Sequence, residues 1–220
     1  KLILKRRQAV SDPTEYFSHP RPELVAVLPE DPSNRVLDLG CGSGAMSALI
    51  RSQGKATEIW GVEKSPEAAA HARASGALDE VLEGDLEGLL EELPENHFSH
   101  IIAGDILEHL VDPWSVCTSL RACLVPGGTF ICSIPNIRNL SFILALAFKG
   151  RFEYRDSGVL DRTHLRFFAR ADVHGLFSQA GFSDIEIGPV RPKKRLSWRL
   201  GRALFGDLVI KVFLVTARRK

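Results

Sequence analysis

The chain has 220 residues, 45% of them hydrophobic and 25% charged, with 28 Lys+Arg against 27 Asp+Glu for a formal net charge of +1. These values exclude a disordered chain, a collagen repeat and a charged-tail protein, and the length suits one sizeable domain. The neutrality is a cancellation: residues 31–112 carry 16 acids against 5 basic residues, net −11, while residues 191–220 carry 10 basic residues against Asp207 alone, net +9.

In chain order, Lys1–Val10 has no apolar core of signal-peptide length. Arg35–Leu39 is a buried-strand run that ends at a glycine cluster, and Ala45–Gln53 follows as a helix. Thr57–Val62 is a second strand. Pro66–Ser75 is an Ala-rich helix with Ser65 as N-cap and Pro66 at its first position. Val81-Leu82 gives a third strand, Leu86–Leu93 a short acidic helix, and Phe98–Ala103 a fourth strand. A helix lies near Asp112–Leu124, then a turn at Pro126-Gly127-Gly128, then a strand over Thr129–Ile134 stopped by Pro135. This alternation predicts a parallel sheet with helices on both faces. The rhythm then breaks. Arg138–Phe148 is an apolar helix, 149–168 is irregular, and Ala171–Ala180 is a helix ended by Gly181. Asp184–Ile187 and Phe213–Ala217 are last strands, with a helix over Leu196–Phe205 between them.

Cys41, Cys117, Cys123 and Cys132 form no CxxC pair and match no zinc spacing, so they are expected to be buried thiols of a reducing cytosol. The longest apolar run, Leu140–Phe148 broken by Ser141, is far short of the ~20 residues a spanning helix needs. A soluble, cytoplasmic protein is expected, with peripheral membrane contact left open.

Asp38-Leu39-Gly40-Cys41-Gly42-Ser43-Gly44 sits at a strand-to-helix junction, where glycines let the backbone turn tightly against a ligand. Glu63 ends the next strand, at the spacing expected of a ribose contact. A dinucleotide fingerprint is G-x-G-x-x-G; here the register is Gly40-x-Gly42-x-Gly44 with Ala45 behind it. Asp38 stands where a pyrophosphate would lie, and a cationic ligand suits that acidic neighbourhood better.

On these residues the sequence resembles the class I S-adenosylmethionine-dependent methyltransferases. The match is carried by Val36–Gly44, Gly61-Val-Glu-Lys64, Gly84-Asp85-Leu86, Asp105–Leu110 and Pro126-Gly-Gly128. It spans about residues 15–190. The resemblance implies a Rossmann-like, doubly wound, three-layer α/β/α fold, with a seven-stranded, mostly parallel sheet and an antiparallel last strand. It also implies S-adenosylmethionine as cofactor. Asp38, Gly40, Cys41 and Gly42 would line its methionine part. Glu63 would hold the ribose, Lys64 would flank the adenine, Asp85 and Leu86 would contact it, and Gly104-Asp105 would sit beside the sulfonium. Ser133-Ile-Pro-Asn136 with Gly158–Phe168 resembles a narrower group, bacterial type 11/12/23-like methyltransferases associated with surface-polysaccharide or sugar modification. It distantly resembles UbiE/UbiG-type and methionine-biosynthesis-type proteins. One domain over 1–220 is expected, with an N-terminal cap at 1–30, an acceptor-side lid at 138–168 and a basic end at 191–220.

Methyl transfer to a hydroxyl needs alignment, exclusion of water and removal of a proton. His109 and His164 are the candidate bases, each weighed against a packing role. Asn136, Tyr154, Arg162 and Arg166 are candidate acceptor contacts; for the arginines the alternative is an ion pair with Asp156 or Asp161, and for Asn136 a helix cap. Tyr16 is placed over the cofactor. Asp105, Glu108 and His109 have the spacing of a carboxylate–histidine cluster, but a structural role is expected and no metal. The basic helix at Leu196–Phe205, with Trp198, has interfacial character and points to an anionic membrane surface. Its arginines carry no recognition motif, which speaks against nucleic acid. The expected reaction is methyl transfer to O or N of a small-molecule or sugar-containing acceptor. The rivals are a membrane-surface lipid or quinone methyltransferase, a nicotinamide-dependent oxidoreductase or epimerase, and a non-catalytic cofactor-binding protein.

Overall fold

The computed structural model describes residues 20–190 and 196–220. Helix α1 (Pro22–Val25) leads into strand β1 (Arg35–Leu39), α2 (Ala45–Ser52), β2 (Glu58–Glu63), α3 (Pro66–Ala74), β3 (Glu80–Glu83) and α4 (Leu86–Leu89). Then come β4 (Phe98–Gly104), α5 (Pro113–Cys123), β5 (Leu124–Pro135), α6 (Leu140–Lys149), α7 (Arg170–Gln179), β6 (Phe182–Pro189), α8 (Leu196–Phe205) and β7 (Val212–Arg219). The seven strands form one sheet in the order β3-β2-β1-β4-β5-β7-β6. β1 pairs in parallel with both β2 and β4, so the strand order reverses there; β7 runs antiparallel to β5 and β6. Ligands of such sheets sit outside the strand ends at the reversal.

Strand side chains alternate between two cores, as the period of two requires. Leu37, Leu39, Ile101, Ala103, Phe130 and Cys132 pack beneath Val116 and Leu120 of α5 and Val173 and Phe177 of α7. Val36, Ile102 and Ile131 face the other way, onto Leu24 of α1, Met46 and Ile50 of α2, and Ala69 and Ala72 of α3. Burial on both faces explains why the strands are apolar runs rather than alternating patterns. All four cysteines are buried free thiols.

Local chemistry sets the element ends. The Ser65 hydroxyl accepts the Ala68 amide with Pro66 behind it, and Asp112 accepts the Ser115 amide at the start of α5. The turn expected at Pro126-Gly127-Gly128 lies inside β5: Phe98 pairs with Leu124 but His100 pairs with Thr129. The extra residues bulge out of the ladder, with Gly127 at φ +80. Both last strands are longer than the expected runs, because β6 and β7 pair with each other along most of their length. No helix among the described residues is long and apolar enough to cross a membrane.

Candidate active site

A cavity of about 1150 Å3 opens at the reversal between β1 and β4. That exceeds the ~300–1,000 Å3 usual for one drug-sized ligand, so there is room for two ligands side by side. At one end, Asp38, Gly40, Cys41, Gly42, Glu63 and Lys64 line it; Asp85, Leu86, Gly104 and Asp105 continue the wall. Every residue expected to hold the cofactor is thus brought to one cavity.

The glycine loop is shaped by contacts that forbid side chains. A Cβ on Gly40, at φ +65, would stand 2.3 Å from Ile106 Cδ1, and one on Gly61 would stand 2.6 Å from Cys41 Sγ. Both positions therefore fix how closely β1, β2 and the loop after β4 approach. Glu63 is buried and holds the loop from below. Its Oε2 accepts the Gly42 amide at 2.9 Å and its Oε1 accepts the Ser65 amide at 2.7 Å. Asp38 is fully buried, accepts the Ser47 hydroxyl at 2.7 Å through Oδ2, and leaves Oδ1 without a partner among the described residues. Burial pushes its carboxyl up to about 7. An orphaned buried carboxylate oxygen in a glycine-floored cavity fits the ammonium end of S-adenosylmethionine. Asp85 caps α4 through the Glu87 amide and pairs with Lys64 at 2.5 Å on the surface.

Arg21 is a lining residue that no motif announces. Its Nη2 lies 2.6 Å from Asp105 Oδ2 and donates to Ser133 Oγ at 2.6 Å, while Ser133 donates to Asp105 Oδ1 at 2.7 Å. Asp105 is held in a left-handed conformation, φ +56, by this triangle. Tyr16, expected over the cofactor, lies outside the described residues.

At the other end, Glu108, His109 and His164 converge. The two imidazoles meet edge to face with centroids 4.8 Å apart. His109 Nδ1 lies 3.2 Å from the Thr163 carbonyl, and His164 Nδ1 lies 3.1 Å from the Val159 carbonyl. A carbonyl only accepts, so Nδ1 carries the proton in both rings and each neutral ring keeps a bare Nε2. Burial, and then His164 beside it, hold the His109 imidazole below its ordinary pKa. Burial, then Asp105, pushes the Glu108 carboxyl well above its usual range. The Glu108 carbonyl accepts the amides of Leu165 and Arg166, which fastens the 149–168 segment over the loop after β4. Phe142 and Ala145 of α6, with Leu160 and Leu165, add apolar walls.

Four expected acceptor contacts stand elsewhere. Asn136 is fully buried: its amide donates to the Asp207 and Ile210 carbonyls and its Oδ1 accepts the Arg138 amide. It braces the turn before β7 and does not line the cavity. Arg162 pairs with Asp156 on the surface, and Arg166 donates to the Val111 carbonyl and lies over Trp114. Tyr154 is exposed beside Phe152. None of these three lines the cavity, because the 149–168 segment turns them outward while His164 turns inward.

The reversed sheet, the glycine loop and the buried acids define a class I S-adenosylmethionine-dependent methyltransferase, an enzyme. Residues 5–187 match a family model described as a methyltransferase domain, and the chain belongs to that family. It is similar to a ubiquinone biosynthesis O-methyltransferase of Cereibacter sphaeroides, 28% identical over 203 residues, spanning 90% of this chain and 78% of the relative. Among solved structures it is similar to an S-adenosylmethionine-dependent methyltransferase from Mesorhizobium loti, with a TM-score of 0.65, 25% identity, and coverage of 90% of this chain and 96% of that one. Phosphoethanolamine N-methyltransferase 2 of Haemonchus contortus, solved with S-adenosylmethionine, shares the fold: TM-score 0.62, 16% identity, 90% of this chain and 52% of that one.

Proposed function

We propose that this enzyme O-methylates a ring hydroxyl of an apolar, quinone-type acceptor. The observation that carries the reading is the acceptor end of the cavity, where two imidazoles and a carboxyl face a space walled by Phe142, Ala145 and Leu165. The name of the Cereibacter relative supports the same chemistry. Of the expected polar acceptor contacts, Arg162, Arg166 and Asn136 are engaged elsewhere, which favours an apolar acceptor over one rich in carboxylate, phosphate or hydroxyl groups.

When bound, S-adenosylmethionine supplies an electrophilic methyl group on a sulfonium, and S-adenosylhomocysteine remains. Asp38, Gly40, Cys41 and Gly42 would hold its amino-acid end, Glu63 the ribose, Lys64, Asp85 and Leu86 the adenine side, and Gly104-Asp105 the reacting end. Arg21 and Ser133 hold the Asp105 carboxylate in one orientation. The lid, tied to the Glu108 carbonyl, closes the acceptor end against water. His109 or His164 takes the hydroxyl proton at Nε2, and the lowered pKa keeps His109 neutral and ready to accept at pH 7.

An acceptor of this kind reaches the cavity from a membrane. Phe148, 82% exposed, with Leu144 and Leu146 on the outer side of α6, gives the enzyme an apolar contact face, and the basic segment 191–220 adds attraction to anionic lipid.

The test supplies S-adenosylmethionine with dihydroxy- and hydroxymethoxy-substituted aromatic rings on one side and sugar nucleotides on the other, and measures S-adenosylhomocysteine. Turnover of the phenolic ring is the expected result. Turnover of the sugars alone overturns the acceptor assignment.

A further inference from the structure

The cavity changes sign along its length. At the cofactor end its wall carries Asp38, Glu63, Asp85 and Asp105, which suits a cation. At the acceptor end the exposed charged lining residues are Lys149, Arg151, Glu153, Arg155 and Lys211, and their exposure puts them at the rim. Glu153 pairs with Arg151 at 3.3 Å. Asp161 is buried below the rim, where its Oδ1 accepts the Thr163 amide at 2.9 Å and the Thr163 hydroxyl at 2.7 Å. Lys149, Arg155 and Lys211 are left with no side-chain hydrogen bond or ion pair among the described residues.

The backbone sets their places. Phe142, Ala145 and Lys149 recur at three- and four-residue steps, so they share the inner face of α6, and Lys149 stands one turn beyond the apolar wall. Gly150, at φ +58, turns the chain back, and Phe152 packs edge to face on Phe142 with centroids 5.4 Å apart. The returning segment brings Arg155, whose amide donates to the Leu160 carbonyl at 2.8 Å and whose carbonyl accepts the Arg162 amide at 3.0 Å. Lys211, just before β7, accepts the Asn136 amide at 2.8 Å through its carbonyl. A cation in the last turn of α6 also suits the helix dipole, but Arg155 and Lys211 belong to no helix, so the dipole accounts for neither.

We propose that Lys149, Arg155 and Lys211 form an anion subsite at the cavity mouth, and that the acceptor is an apolar ring bearing one carboxylate or phosphate group. The anion is held at the rim, the ring lies against Phe142 and Ala145, and the hydroxyl reaches His109 and His164. Like charges at the mouth of a cleft draw an oppositely charged ligand and fix which end enters first. Arg155 offers a planar fork to two oxygens, and the lysines add point charges. A single anionic group leaves the rest of the acceptor apolar, in keeping with Arg162, Arg166 and Asn136 being tied elsewhere. This deepens the ring-hydroxyl reading and rests on it for the ring alone.

The test measures probe binding to full-length protein loaded with S-adenosylhomocysteine, by calorimetry. Three catechol probes are compared: dihydroxyphenylpropanoate, its methyl ester and dihydroxyphenethyl phosphate. Both anionic probes are expected to bind at least tenfold more tightly than the ester at low salt. The gap is expected to shrink as salt rises, and to fall below threefold in the double variant Lys149→Gln/Arg155→Gln, whose altered side chains are exposed. Whichever anion binds more tightly tells a carboxylate acceptor from a phosphate one. Equal affinity for ester and acids overturns the proposal, as does a gap that persists in the double variant, or no binding by any probe. Binding to vesicles of phosphatidylcholine with phosphatidylglycerol is measured in parallel. A variant that keeps the gap and loses the vesicles assigns these cations to a membrane surface and overturns the subsite as well. Turnover is followed on the same probes. Anion-selective binding without methyl transfer to any ring supports the subsite and counts against the ring-hydroxyl reading.

Discussion

The Ser47 hydroxyl donates to Asp38 Oδ2 at 2.7 Å, while Oδ1 of this fully buried carboxyl has no hydrogen-bond partner among the described residues. One neutral donor does not offset the loss of water, so the carboxyl titrates near pH 7 rather than near 4. The folded state therefore holds this proton more tightly than the unfolded chain does. On its own the group lowers folding stability as pH rises from about 4 to about 7 and adds no further change above that. A cationic ligand beside Asp38 reverses the preference and favours the carboxylate. S-adenosylhomocysteine, which carries the same ammonium group, is expected to bind about tenfold more tightly at pH 8 than at pH 6. Calorimetry at both values checks this. Asp38→Asn is expected to weaken binding and flatten the profile; an unchanged slope in the variant removes Asp38 from the explanation.

Glu63 and Lys64 are neighbours in the motif but not in their work. Glu63 is buried and accepts two backbone amides that shape the glycine loop, whereas Lys64 is an exposed partner of Asp85. Exposed ion pairs contribute about 0–1 kcal/mol. Glu63→Ala is expected to weaken S-adenosylhomocysteine binding by more than tenfold, and Lys64→Ala by less than about threefold. Equal losses would show that the two share the cofactor in the same way.

Much of this was legible in the sequence, for a physical reason. Doubly buried strands are contiguous apolar runs, and Gly40 and Gly44 stand at positive φ where a Cβ would come within 3 Å of the Ile106 and Leu78 side chains. Both constraints are local, so Arg35–Leu39 and Gly40–Gly44 announce themselves. The acceptor end was harder. His164 reaches the site only because the Glu108 carbonyl takes the Leu165 and Arg166 amides, and Arg21 only because α1 packs against β5. Such long-range contacts leave no spacing to read. The same holds for Asn136, Arg162 and Arg166, whose residue types suit an acceptor but whose side chains are spent on the Asp207 turn, Asp156 and Val111.

The triangle of Arg21, Asp105 and Ser133 predicts a split between binding and rate. Arg21→Ala removes the cation that holds Asp105 at φ +56 but leaves Asp38 and Glu63 untouched. Misplacement by a fraction of an ångström costs alignment more than affinity. Turnover is expected to fall at least tenfold with S-adenosylhomocysteine affinity changed less than threefold. Steady-state kinetics with calorimetry separates the two, and a loss confined to affinity would place Arg21 among the cofactor contacts.

Lys55 gives a prediction of stability alone. It is buried, and its ammonium donates to the carbonyls of Val25 at 2.9 Å and Leu28 at 2.8 Å, just past the end of α1. The Val25 carbonyl also accepts the Leu28 amide at 3.2 Å, so the ammonium adds a second donor there and caps a segment only four residues long. Asn34 donates to the Lys55 carbonyl and so holds the capping residue itself in place. Lys55→Met keeps the stem and removes the donors, leaving the Leu28 carbonyl short of a partner while Val25 keeps the Leu28 amide. That costs about 1–3 kcal/mol for the one unsatisfied group. Urea unfolding is expected to show a lower midpoint with an unchanged slope. Because α1 carries the chain from Arg21 into the core, Lys55→Met is also expected to reproduce part of the Arg21→Ala loss of turnover. A destabilised variant with full turnover would show that Arg21 is held by Asp105 and Ser133 alone.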